Sequence, residues 1–140
     1  GSAAFIRQAR RTRKILGGGM RQAGVLAAAG HYALQHHVRR LAEDHANLHT
    51  LASGLRAVGE SHPVLRGRIT VHPWQTNILF TDVQADVAPA FTAWLAQHQI
   101  RVTSSLYGGQ SRLRWVTHLD VNAADVQAAL DCVARFTLPG

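Results

Sequence analysis

Two arginines two positions apart, in the segment Arg112-Leu-Arg-Trp-Val-Thr-His118, are the residues of this sequence best suited to chemistry. Side chains alternate sides along an extended strand. Leu113, Trp115 and Thr117 would therefore share one face, and Arg112, Arg114, Val116 and His118 the other. If the first set packs beneath helices, both guanidinium groups point away from the core. A guanidinium fork matches the two oxygens of a carboxylate, and a strand holds that fork more rigidly than a loop. The plainer outcome is a solvated arginine, or one paired with Asp120, and alternation alone leaves it the commoner one.

A second constellation is Arg13-Lys14-Ile-Leu-Gly-Gly-Gly-Met-Arg21-Gln22. A glycine run that opens a helix exposes backbone N–H groups and favours an anion, and Lys14 and Arg21 flank it with positive charge. The spacing is neither a Walker loop nor a dinucleotide fingerprint, so a flexible hinge between helices explains it better. Among the nine histidines, His45 and His49 are four apart on one predicted helix. They lack the HExxH pattern, and His45 falls on an apolar stripe, so no metal site is assigned. His118 and Asp120 read as turn residues, and Cys132 as a core residue.

These side chains need elements to position them. Ser2 can cap a basic amphipathic helix running to about Lys14, ended by Gly17-Gly18-Gly19. A second helix is expected over roughly 20–36, with apolar and small residues on every face, which demands cover that so short a chain cannot supply. A third, over about 38–58, carries the stripe Val38, Leu41, His45, Leu48, Leu51, Leu55 and Val58, and Gly59 is expected to end it. Beyond it the period falls to two. Ile69 and Val71, Asn77–Val83, Ile100–Ser104 and Arg112–His118 read as short strands. A helix capped by Asp86, with Pro89 in its first turn, and a last helix capped by Asn122 complete the order. The fold class expected is α+β, a short, mostly antiparallel sheet covered by helices and preceded by two to three long helices.

The chain has 140 residues, 46% of them hydrophobic, enough for one modest core and too varied for disorder. One cysteine excludes an internal disulfide and suits a reducing cytoplasm. No apolar run is long enough to cross a bilayer, and no secretory signal is read. The net charge of +7 raises the expectation of a phosphate-bearing partner. Arg7, Arg10, Arg11 and Arg13 could form a basic module for nucleic acid or a phosphorylated ligand, kept as the alternative. The first helix lacks the interleaved aromatics that nucleic acid would favour.

Four strings, Arg13–Gly30, Ala42-Glu-Asp-His-Ala-Asn47, Gln75-Thr-Asn-Ile78 and Arg114-Trp-Val-Thr-His-Leu-Asp-Val121, together resemble the low-specificity L-threonine aldolases, in the same order and essentially end to end. The resemblance implies a fold-type-I pyridoxal-phosphate enzyme, usually a homotetramer, that cleaves L-threonine or L-allo-threonine to glycine and acetaldehyde. It implies that residues 1–36 close the large cofactor domain and lead out of it, and that residues 37–140 are the small C-terminal domain. It places Arg114 on the substrate carboxylate, and Lys14 and Arg21 near the cofactor phosphate. It also implies an absence. The lysine that carries the cofactor lies in a Ser-Lys-Gly segment that this sequence does not contain, and Lys14 is its only lysine. The 140 residues are therefore expected to be inactive alone.

Overall fold

Ser2 does start the first helix: its hydroxyl accepts a hydrogen bond from Phe5 N at 3.3 Å, ahead of α1 (Ala3–Ile15). This is seen in a computed structural model that describes residues 1–138. The chain divides into two compact units, Gly1–Arg39 and Arg40–Gly140.

In the first unit, α1 gives way to a tight turn in which Gly17 takes a φ of +80° and Gly18 N donates to Arg13 O at 2.8 Å. The next helix, α2 (Gly24–His36), begins four residues later than predicted. Gln22, at φ +50°, occupies the left-handed region, which breaks α propagation between the glycines and the helix. The glycine run thus leads into a bend rather than opening a helix. Neither helix buries a residue. Val25, Leu26, Tyr32 and Leu34 of α2 are all more than half exposed, as a helix apolar on every side would be without cover.

The second unit opens with α3 (Leu41–Ser61), which starts after Val38 and runs straight through Gly59. A Cβ at position 59 would lie 3.1 Å from Ile69 Cγ2 and 3.2 Å from Ile69 O. This glycine admits a neighbouring strand rather than stopping the helix. The four strands are β1 (Ile69–Val71), β2 (Ile78–Val83), β3 (Thr103–Tyr107) and β4 (Gln110–Val116). Every pairing is antiparallel, in the order β1-β2-β4-β3. Gly108 and Gly109, at φ +58° and +79°, close the β3–β4 hairpin with the two left-handed residues that such a turn needs. That turn places β3 later than the predicted Ile100–Ser104.

Helix α4 (Ala88–Gln97) follows Val87 rather than a capping Asp86, whose carboxylate pairs with Arg68 at 3.6 Å. Helix α5 (Ala123–Ala134) begins with the full capping box of Asn122 and Asp125. One core joins Leu48, Leu51 and Leu55 of α3, Leu79 and Val83 of β2, Phe91 and Leu95 of α4, Leu113 and Trp115 of β4, and Val126 and Val133 of α5. The Trp94 indole ties α4 to α5 by donating to Cys132 O at 3.0 Å. The helices thus cover one face of the sheet and leave the other open. Cys132 is buried in that core, and burial pushes its thiol pKa up.

Candidate functional site

The open face of the sheet carries the arginines. Leu113, Trp115 and Thr117 are buried, whereas Arg114 is exposed. β4 is an inner strand, so Arg114 is flanked by a paired strand on both sides, opposite Phe80 on β2 and Thr103 on β3. Arg112 lies between Asp82 and Ser105 in the same way. The alternation expected from sequence therefore holds along the whole strand.

The two arginines differ in what they touch. Arg112 is clamped: its Nε donates to Asp82 Oδ1 at 2.7 Å and a terminal nitrogen to Asp82 Oδ2 at 2.9 Å. His72 Nε2 approaches the same Oδ2 at 2.7 Å, and the guanidinium lies 3.8 Å above the Tyr107 ring. The Arg112 fork, with help from His72 and against the cost of burial, pulls the Asp82 carboxyl down to about 2 from an ordinary 3.8. In return Asp82 raises the Arg112 pKa. Among the described residues Arg114 takes part in no ion pair. Asp120, its proposed alternative partner, instead sits 3.7 Å from His118.

Behind this face, the end of β4 is bound from several directions. Thr117 N donates to Asn77 O at 3.1 Å, and Asn77 Nδ2 donates back to Thr117 O at 2.7 Å. The Thr117 hydroxyl donates to Asp44 O in the first turn of α3 at 2.7 Å. One turn further along α3, Asn47 Nδ2 donates to Val121 O at 3.0 Å. The Asp44 carboxylate is buried and faces Arg40, with Oδ1 at 3.1 Å but hydrogen-bond geometry only to Oδ2, at 3.3 Å. None of these roles was assigned from the residues individually, because they depend on which segments meet.

Lys14 and Arg21 flank the glycine turn in the first unit and are both exposed, while Arg114 belongs to the second. A Cβ at Gly19 would fall 2.6 Å from Lys14 Cδ and 2.7 Å from its Nζ, a contact that this exposed and flexible side chain would relieve by swinging aside. The N–H groups of Gly17 and Gly18 are taken by Lys14 O and Arg13 O, so the donors left for a phosphate dianion are the Lys14 ammonium and the Arg21 guanidinium, while the fork of Arg114 suits a carboxylate. His45 and His49 are exposed, and no cluster of three metal-binding side chains occurs among the described residues. No helix among them is long and apolar enough to cross a membrane. The cleft of about 200 Å³ between β4 and α5 is lined by Trp115, Val126 and Ala129, and its Asp125 is taken up by the α5 cap.

The family described as beta-eliminating lyase matches residues 1–86, and the chain belongs to it. It is 39% identical over 138 residues to probable low-specificity L-threonine aldolase 2 of Arabidopsis thaliana, covering 97% of this chain and 37% of that protein. It is 40% identical over 122 residues to the low specificity L-threonine aldolase of Escherichia coli strain K12, covering 87% of this chain and 32% of that protein. The chain thus spans about a third of the length of these relatives. Among solved structures it is similar to 8-amino-7-oxononanoate synthase of Francisella tularensis, with a TM-score of 0.53 at 18% identity over 71% of this chain and 28% of that one. That likeness concerns the fold, and the α+β expectation agrees with it. No comparison supports a stand-alone basic binding module.

Proposed function

We propose that this chain is the C-terminal part of a pyridoxal-phosphate-dependent threonine aldolase, cleaving L-threonine or L-allo-threonine to glycine and acetaldehyde. The observation that carries the proposal is the division of labour on the open sheet face. Arg112 is neutralised by Asp82, whereas Arg114 is presented on an inner strand with its fork unpaired among the described residues. Arg114 grips the substrate carboxylate and fixes the orientation of the amino acid about its Cα. Lys14 and Arg21 hold the phosphate of the cofactor at the glycine turn. Pyridoxal phosphate supplies the electron sink for the Cα–Cβ bond that breaks. The cofactor-bearing lysine is assigned to another part of the protein, because the single lysine here, Lys14, falls in the string matched to the phosphate side of the site. A cytoplasmic homo-oligomer, which the exposed apolar surface of α2 suits, completes the proposal.

The test is Arg114→Ala in the full chain that carries this segment, loaded with cofactor. A charge-assisted, two-pronged contact to the carboxylate should be worth about a hundredfold in KM for L-threonine. Cofactor absorbance should be unchanged. An unaltered KM would remove Arg114 from the site.

A further inference from the structure

We propose that Thr117 and Asn77, assisted by Asn47, are positioning residues for substrate recognition, holding the strand end that carries Arg114. The proposal rests on the assignment of Arg114 to the carboxylate. Arg114 sits close to the end of its ladders. On the β3 side its pair with Thr103 is the first of that strand, and on the β2 side pairing stops two residues later, at Val116 with Ile78. An unsupported strand end frays, and an arginine on it would sample many positions.

The hydrogen bonds around Thr117 supply the missing support. Asn77 extends the β2–β4 pairing by one more residue through its backbone carbonyl and its side-chain amide, the latter at 2.7 Å. The Thr117 hydroxyl then ties the strand to α3, and Asn47 anchors the following loop to the same helix. Thr117 is 1% exposed. Valine has nearly the same shape and would fill that space without a polar group to satisfy, so burial alone gives no reason for a hydroxyl here. What the hydroxyl adds is direction. A slip of one residue along β2 would turn Arg114 to the core side, and a slip of two would put Arg112 opposite Phe80. The Thr117–Asp44 bond opposes both.

The experiment compares two ligands in the cofactor-loaded full chain: glycine, and methylamine, which lacks the carboxylate. Binding of each is followed by the cofactor's absorbance. In Thr117→Val and in Asn77→Ala, glycine should bind about tenfold more weakly, as when a two-pronged charged contact loses one prong. Methylamine should bind as before. Thr117→Ser, which keeps the hydroxyl, should restore glycine binding. Equal weakening of both ligands would show a merely structural role and overturn the proposal, as would unchanged glycine binding in both variants. Arg114→Ala run alongside separates the two levels: if it leaves the glycine-to-methylamine ratio unchanged, the carboxylate assignment itself falls, and the positioning role with it.

Discussion

Removing the carboxylate of Asp82 isolates the clamp that neutralises Arg112, and its effect on stability has a definite pH signature. The folded-state value of about 2 lies below the ordinary 3.8. A gap of that size corresponds to about 2 kcal/mol, reduced to roughly 1–2 kcal/mol because the pair sits on the solvent-facing side of the sheet. The carboxyl is depressed on folding, so its stabilisation is complete above the unfolded value and fades as pH falls through the folded one. Asp82→Asn should therefore lower the unfolding free energy by roughly 1–2 kcal/mol at pH 7, and at pH 2.5 by only about a third of that. Urea unfolding followed by tryptophan fluorescence is the assay. Trp74, Trp94 and Trp115 all lie in the second unit, and Trp115 is buried. Arg112→Ala should flatten the same pH dependence. A deficit of equal size at both pH values, or none at pH 7, would refute the clamp as a source of stability.

Two further substitutions probe the frame around the site. Trp115 Nε1 donates to Thr81 Oγ1 at 3.0 Å in the core, so Thr81→Val should strand a buried indole N–H and cost about 1–3 kcal/mol. Thr81→Ser should cost less in the same urea titration; equal losses would point to packing instead. Asn122→Ala removes the acceptor for Ala124 N and Asp125 N at the start of α5, and should lower stability by about 1 kcal/mol. An unmoved urea midpoint would mean that α5 is held by its buried face alone.

The face of β4 could be read from sequence because strand alternation is local: five consecutive residues suffice to sort Leu113 and Trp115 from Arg112 and Arg114. The difference between the two arginines could not. It depends on the register that sets Asp82 opposite Arg112, thirty positions away, and on the hairpin turn that brings Tyr107 under the same guanidinium. The role of Gly59 is non-local in the same way. Glycine both ends helices and admits close neighbours, and only the approach of Ile69 decides between them. The start of α2 lies later than its composition suggests because nothing in that composition announces that Gln22 leaves helical φ.

The exposure of Arg114 is weak support for a ligand by itself, since a solvated guanidinium costs nothing. The contrast with the neutralised Arg112 gives it weight, and the arrangement beneath it is what the assignment would explain. Asp44, Asn47, Asn77 and Thr117 come from three separate strings that resemble the aldolases, and they meet at one strand end through bonds of 2.7 to 3.1 Å. Placing polar groups there is unfavourable unless each finds a partner, and an apolar core would hold the fold as well. A polar knot gives orientation, which apolar packing specifies less sharply. Beside it stands Arg114, and the role proposed for that fork is one in which orientation counts, because a two-pronged grip on a carboxylate fails with small displacements while core packing tolerates them.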